Sequence, residues 1–357
     1  MAMSPYRWLL YPFSLAYEGI TSWRNSMFDS GVKKSSSFDV PCIAVGNLAM
    51  GGTGKTPMVE FLVEAYKDQY PLATLSRGYG RRTKGYILAD KFTGPEDIGD
   101  EPYQIYSKYA GQITVAVGEK RALAIPQILN DAPETSLIFL DDAFQHRYVK
   151  ADFYIMLTTF QRPFFEDYVV PAGTLREKRE GAQRAQAVVV TKCPKSLSSQ
   201  QQEHYKSEII KYTKKDCPVY FSSLEYGAPY DIAGKDRYFS GNVILLTGIA
   251  SNALVKEKVK ANFNLLETLE YSDHHRYQMK DIEGLKRIYQ NYKTQNPVVL
   301  TTEKDAVKLK DDNYAGFLKE IPIFALPVKV HLEGNGDQEL LKQVSQAISN
   351  KGYHREV

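Results

Sequence analysis

The chain has 357 residues, 43% of them hydrophobic and 24% charged, with a formal net charge of +3. That is long enough for two cores and too nearly neutral for bulk electrostatics to argue for nucleic acid as a partner. Cys42, Cys193 and Cys217 stand far apart, which excludes a disulfide framework or a cysteine-based zinc site and suits a reducing compartment.

Residues 1–30 differ in composition from the rest. Both tryptophans of the chain, Trp8 and Trp23, lie here with Tyr6, Tyr11, Phe13, Tyr17 and Phe28, and between them run Leu9, Leu10, Leu15, Ile20 and Met27. No uncharged apolar stretch approaches the ~20 residues that span a bilayer, and no small-residue cleavage site follows a clean apolar run. The segment is expected to form an amphipathic helix. It would lie in a membrane interface with Arg7 and Arg24 toward the headgroups, or pack on the protein's own core; composition leaves both open. Pro12 predicts a kink or a split into two pieces.

After the polar linker 31–37, short β-branched runs alternate with helical patterns. Strands are expected at Phe38–Val45, Pro71–Ser76, Ile113–Val117 and Leu137–Leu140. Helices are expected at Thr56–Gln69, Asp100–Ala110 and Glu119–Asn130. The second half continues with strands at Phe153–Leu157, Ala187–Thr191, Val243–Leu246, Val298–Leu300 and Ile321–Leu326. Its helices fall at Ser199–Thr213, Asn252–Ala261, Asp281–Thr294 and Gln338–Ser349. The pattern predicts an α/β fold with mainly parallel, doubly wound sheets. The expected organisation is the N-terminal helix 1–30, a first α/β domain over 31–155 and a second over 156–357.

The stretch Gly51-Gly52-Thr53-Gly54-Lys55-Thr56 joins the first strand to the first helix of that pattern, the context of a phosphate-binding P-loop. Glycines let backbone N–H groups face phosphates, and the helix adds the positive end of its dipole. Lys55 would reach the outer phosphates and the Thr56 hydroxyl would ligate Mg²⁺. The strict pattern asks for glycine where this chain has Ala49. The strand Leu137–Leu140 ends in Asp141-Asp142, the place from which such a fold holds the metal of its nucleotide; an ordinary turn cap is the alternative. Asp100 opens a helix, where an aspartate is commonly an N-cap. Three arginines at 77, 81 and 82 and a second basic loop at 171–184 could capture phosphate or simply be solvated. His146 read alone is a structural histidine. Of the adjacent His274 and His275, one could pair with a carboxylate as base or orienter. Thr301–Asp305, at a strand's carboxyl end, suits a nucleotide contact or a helix cap equally.

Taken together, these motifs resemble a family. Val45-Gly46-Asn47, the glycine-rich run through Pro57, Leu75–Gly80, Gly99-Asp100-Glu101-Pro102, Asp141–Arg147, Leu175-Arg176-Glu177, Thr247–Ala250, Asp273-His274 and Thr302–Asp305 occur in the order found in tetraacyldisaccharide 4′-kinases, the lipid A kinases. The resemblance spans about residues 1–330 and departs from the family at Ala143, usually glycine, and Lys178, usually proline.

The resemblance implies two α/β/α domains, the first P-loop NTPase-like, with the active site between them. It implies transfer of the ATP γ-phosphoryl group to the 4′-hydroxyl of a tetraacyl glucosamine disaccharide 1-phosphate, at the cytoplasmic face of a bacterial inner membrane. Asp100 would then be the base, assisted by His274, with Lys55 on the phosphates. The nucleotide would lie on Ala49, Met50, Gly51, Gly52, Thr53, Gly54, Lys55 and Thr56. Metal candidates are Thr56, Asp141, Asp142 and Glu101; substrate candidates are Arg77, Arg81, His146 and Arg176. The expected cofactors are ATP and Mg²⁺. The expected partners are the lipid disaccharide and a membrane surface, without nucleic acid. Two other classes compete. A membrane-associated ATPase switch has a similar loop but carries lysine where this chain has Met50. A P-loop kinase of a soluble small molecule would show the same phosphoryl-transfer motifs.

Overall fold

The computed structural model describes residues 5–310 and 314–352. Its first element, α1 (Pro5–Asp29), runs through Pro12 without the split that proline predicts. Pro12 is exposed, so the one carbonyl that loses its partner sits on a side that water can reach. One side of α1 rests on the body. Ser14 Oγ accepts a 2.9 Å hydrogen bond from the Ala172 N–H, Asn25 Nδ2 donates to Glu177 Oε2 at 2.6 Å, and Phe28 is buried. The other side leaves Trp8, Leu9, Phe13, Ile20 and Trp23 each more than half exposed.

The chain then builds one long sheet. In order come β1 (Cys42–Asn47), α2 (Lys55–Tyr66), β2 (Leu72–Ser76), β3 (Ile87–Leu88), α3 (Pro95–Ile98), α4 (Asp100–Tyr109), β4 (Thr114–Val117) and α5 (Arg121–Asp131). These are followed by β5 (Leu137–Asp141), β6 (Phe153–Thr159), β7 (Ala187–Thr191), α6 (Ser199–Ile209) and β8 (Val219–Tyr226). A second lobe follows, made of β9 (Tyr230–Asp231), β10 (Asn242–Thr247), α7 (Ala253–Asn262), β11 (Asn264–Glu270), α8 (Met279–Asn291), β12 (Val298–Thr302), α9 (Glu303–Leu309), α10 (Ala315–Glu320) and β13 (Ile323–Leu326). The chain returns through β14 (Val328–Leu332) and α11 (Gly336–Asn350).

The first sheet has nine strands in the order β14-β8-β7-β6-β1-β5-β2-β4-β3, the second five in the order β11-β10-β12-β13-β9. Pairing is parallel except at β3 and β14 in the first sheet and β9 in the second. Both sheets are covered on both faces, so two α/β/α sandwiches form as expected. Period-2 alternation sorts the side chains of β1. Ile43 and Val45 join the core under α2, α4 and α11, whereas Cys42 and Ala44 join the core under α5.

The expected division near residue 155 is corrected by this topology. It would cut through β6, and β6, β7 and β8 all belong to the first sheet. The second sheet begins only at β9, and β14 with α11 return to the first. β8 and β14 carry the chain out and back and pair antiparallel with each other, Val328 opposite Tyr226. Three strands of four residues or more, β8, β11 and β14, lie where no strand was expected. β8 carries Ser222-Ser223, β11 is a half-exposed edge, and β14 alternates Val328-Lys329-Val330-His331-Leu332, a pattern readable as an edge strand.

Because α11 closes the first core with the fully buried Leu340, Val344 and Ile348, Leu340→Ala should destabilise the protein by about 2–5 kcal/mol. Urea unfolding followed by far-UV circular dichroism measures this, and a midpoint unchanged from the parent would remove α11 from the core.

Candidate functional site

Parallel pairing of β1 with β5 sets Val45 level with Asp141, so the glycine-rich loop after β1 and the acids after β5 emerge side by side. The loop uses its glycines where sterics demand them. Gly51 and Gly54 have φ of 104° and 87°, and a Cβ on Gly46 would come within 2.7 Å of Phe144 Cβ. The loop is pinned from two sides. Asn47 Nδ2 donates to Thr53 Oγ1 at 2.7 Å, and Thr191 Oγ1 donates to the Thr53 carbonyl at 2.8 Å. The segment 174–176 reaches across as well: the Met50 N–H donates to the Thr174 carbonyl, and the Arg176 N–H to the Leu48 carbonyl. Lys55 and Thr56 begin α2, where unpaired N–H groups face outward.

Lys55 Nζ lies 3.6 Å from Asp142 Oδ1. Arg176 Nη1 donates to both Asp142 oxygens at 3.0 and 3.1 Å. Burial pushes the Asp142 carboxyl up, but Lys55 and Arg176 outweigh it and hold it below the usual carboxylate range. Asp141 is different. It is buried, its Oδ1 has no hydrogen-bond partner, and burial, then the Glu101 and Asp142 carboxylates, push it well above that range. Thr56 is buried and lines the same cleft as Asp142. Among the described residues no three His, Cys, Asp or Glu side chains converge closely enough to hold a metal by themselves.

The second lobe closes the other wall. A cleft of about 360 Å³ is lined by the glycine-rich loop, Tyr79, Glu101, Asp142, Arg176 and Lys192 from the first lobe and by Ala250, Asp273, His274 and Lys304 from the second. Asp100 opens α4 and His274 sits in the turn after β11, 174 positions later, yet His274 Nδ1 is 3.4 Å from Asp100 Oδ2. His274 takes a φ of 56°, a left-handed conformation that a non-glycine residue keeps only when its surroundings impose it. Burial alone would raise the Asp100 carboxyl, but the His274 hydrogen bond and the Lys308 and Lys304 ammonium groups hold it low. Asp100 is therefore a charged acceptor rather than an N-cap. His275 diverges from its neighbour, stacks on Tyr271 and pairs with Asp281 at 3.0 Å.

The structure separates the four substrate candidates. Arg77 is exposed at the end of β2. Arg176 is committed to Asp142. Arg81 has an almost fully enclosed side chain whose Nη2 pairs with Glu119 and the Gly85 carbonyl across the 77–85 turn, while Nε and Nη1 are buried without a partner. His146 is half-buried, with Nε2 enclosed and unpartnered. Burial, then Arg121, Arg24 and Arg77, push its imidazole down to about 4.

Four residues go unassigned by motif reading. Lys192, at a φ of 58°, donates from Nζ to the Gly52 carbonyl at 2.7 Å. Arg121 donates to the Asp141 carbonyl at 3.0 Å. Lys304 reaches Glu101, Asp273 and His274, and Lys308 stands 3.8 Å from Asp100. Lys304 lies in the Thr302–Asp305 motif, which assigned it no role of its own; the other three are lone cations at or near element ends, and only position in space distinguishes them from solvated ones.

His146 yields a pH prediction. With its folded value below the ordinary 6.5, the unfolded chain takes up a proton that the folded one refuses. Stability from this group is therefore present above pH 6.5 and is lost as pH falls toward 4. His146→Gln should flatten that part of the pH dependence, measured by urea unfolding at pH 7 and pH 5; an unchanged slope would mean that the imidazole is solvated.

Residues 6–348 match a family model described as tetraacyldisaccharide-1-P 4′-kinase. A tetraacyldisaccharide 4′-kinase of Flavobacterium psychrophilum is 40% identical over 348 residues, covering 96% of this chain and 98% of that protein. One of Bacteroides thetaiotaomicron is 37% identical over 367 residues, covering 98% and 96%. Among solved structures, LpxK from Aquifex aeolicus in complex with ATP superposes with a TM-score of 0.72 at 28% identity, covering 96% of this chain and 99% of that one.

Proposed function

The chain belongs to the tetraacyldisaccharide-1-phosphate 4′-kinase family, and on that premise we propose how its cleft performs the transfer. The enzyme moves the γ-phosphoryl group of ATP to the 4′-hydroxyl of a tetraacyldisaccharide 1-phosphate, a step of lipid A biosynthesis. The observation that carries the residue assignment is the Asp100–His274 contact, made between the two lobes, with His274 lining the same cleft as the glycine-rich loop.

Phosphoryl transfer asks the protein for positioning and for charge stabilisation more than for covalent chemistry. The loop from Ala49 to Gly54 cradles the phosphates with backbone N–H groups, and Lys55 meets the outer ones at the start of α2. Asp100, held ionised, accepts the proton of the acceptor hydroxyl as its oxygen bonds to phosphorus and the bond to ADP breaks. His274 orients that carboxylate through Nδ1. Arg77, exposed at the end of β2, serves the sugar or its phosphate, with His146 behind it.

Mg²⁺ fits this site. Asp141 offers a buried oxygen without a partner, near the Glu101 and Asp142 carboxylates, and a cation there would relieve the crowding of acids that raises Asp141; the Thr56 hydroxyl is a further candidate ligand. Asp142 is the weaker candidate, since Arg176 and Lys55 already use it. When bound, Mg²⁺ would neutralise charge on the β- and γ-phosphates.

The test is phosphate incorporation into a tetraacyldisaccharide 1-phosphate with Mg-ATP. Lys55→Ala should lose on the order of 10²-fold or more in kcat. Asp100→Asn and His274→Ala should be non-additive, the double variant little slower than the worse single one. Strictly additive losses in activation free energy would break the pair into independent residues.

The exposed apolar side of α1 supports docking on a membrane surface. No helix of the described residues is long and apolar enough to cross one, so α1 would lie in the interface with its aromatic rings at headgroup depth. Replacing Trp8, Phe13 and Trp23 together by serine should leave the melting temperature unchanged and abolish co-sedimentation with anionic phospholipid vesicles. Equal sedimentation of parent and variant would reassign that side of α1.

A further inference from the structure

We propose that Lys304 is a further catalytic residue, a cation supplied by the second lobe that exchanges Glu101 for the non-bridging oxygens of the transferring γ-phosphoryl group. The inference rests on the kinase reading of the cleft.

Lys304 projects from the first turn of α9 into the cleft, where its side chain is 16% exposed. Its Nζ lies 3.1 Å from Glu101 Oε1, 3.0 Å from Asp273 Oδ1 and 3.2 Å from His274 Nε2. It therefore touches the histidine that orients Asp100 and the acid next in sequence to Asp100. Other cleft cations are committed elsewhere. Lys308, on the same helix, is tied to the buried Asp305 at 2.8 Å; Arg176 holds Asp142, and Lys192 holds the Gly52 carbonyl. Lys304 alone among these combines a second-lobe origin with contact to both Glu101 and His274.

Its pairing looks provisional on chemical grounds. Glu101 is also a candidate metal ligand, and a carboxylate cannot give the same oxygen to an ammonium and to a metal at full strength. With Glu101 engaged by a metal, the ammonium would keep Asp273 and gain the phosphoryl oxygens, which carry the charge that develops in transfer. Lys304 acts here as a charge held in place by Asp273. It neither gives nor takes the proton, which passes from the acceptor hydroxyl to Asp100. The consequence is that bond-making waits for the second lobe to be in place.

Two variants separate this role from a simple tie between lobes. Lys304→Arg keeps the charge and can satisfy both carboxylates, but its longer, planar head misplaces the donor. Lys304→Met removes the charge. The arginine variant should melt at the parent temperature and lose about tenfold in kcat; the methionine variant should lose about 10²-fold, with KM for the lipid within about threefold. By calorimetry, Lys304→Met should weaken MgATP binding about tenfold and leave MgADP binding unchanged, because only ATP carries the γ-phosphate. Parent-level kcat in Lys304→Arg, or equal weakening of both nucleotides in Lys304→Met, would overturn the proposal in favour of a structural tie. A parent protein that binds neither nucleotide would instead overturn the kinase reading on which it rests.

Discussion

The structure depends on a set of opposite charges between α4 of the first lobe and α9 of the second. Asp100 faces Lys308, Glu101 faces Lys304, and Lys108 faces Glu303. Lys108 also holds Glu60 of α2, which is buried and raised above its ordinary range by that burial. The order of charges reverses between the helices, so the three pairs can be satisfied together only in one alignment. Glu303 further accepts from the Val328 N–H at 3.2 Å, linking the alignment to the strand by which the chain returns. Enclosed ion pairs of this kind contribute modestly to net stability, because desolvation offsets much of the attraction. Their value is geometric: they hold Asp100 beside His274.

The same economy governs the first lobe. A strand order that seats β5 beside β1 puts the acids next to the glycine-rich loop without any long-range side-chain contact. The segment from Asp167 to Glu177 then fixes the loop from outside, by backbone hydrogen bonds to Met50 and Leu48. It also receives α1, through Ala172 and Glu177. One irregular stretch thus joins the exposed apolar helix to the phosphate end of the cleft.

The acids of the cleft show how neighbours of one type acquire different roles. Asp142 is held low by two cations, Asp141 is pushed high by burial and two anions, and Asp100 is held low by a histidine and two lysines. Sequence adjacency of Asp141 and Asp142 predicts nothing of this. The positive φ of Asp142, 46°, turns the second side chain toward Lys55 and Arg176 while the first stays in the strand register.

Much was legible in the chain itself. The alternation of apolar runs set β1, β2, β4 through β7, β10, β12 and β13 within a few residues, because buried parallel strands leave compact, β-branched signatures. Gly51, Gly54, Lys55 and Thr56 announced their turn by composition, since few residues tolerate positive φ and only a helix start follows so abruptly. Motif order pointed to Asp100 and His274. Tertiary structure decided the rest. The lobe boundary moved from 155 to the β8–β14 ribbon because sheet membership is a pairing of distant strands, invisible in local pattern. Arg81 pairs with Glu119 and within its own turn, and Lys304 enters the cleft, although both are cations in loops or at helix starts. A charge takes its role from the partner opposite it, and here those partners lie tens to hundreds of residues away: 38 for Arg81 with Glu119, 203 for Lys304 with Glu101.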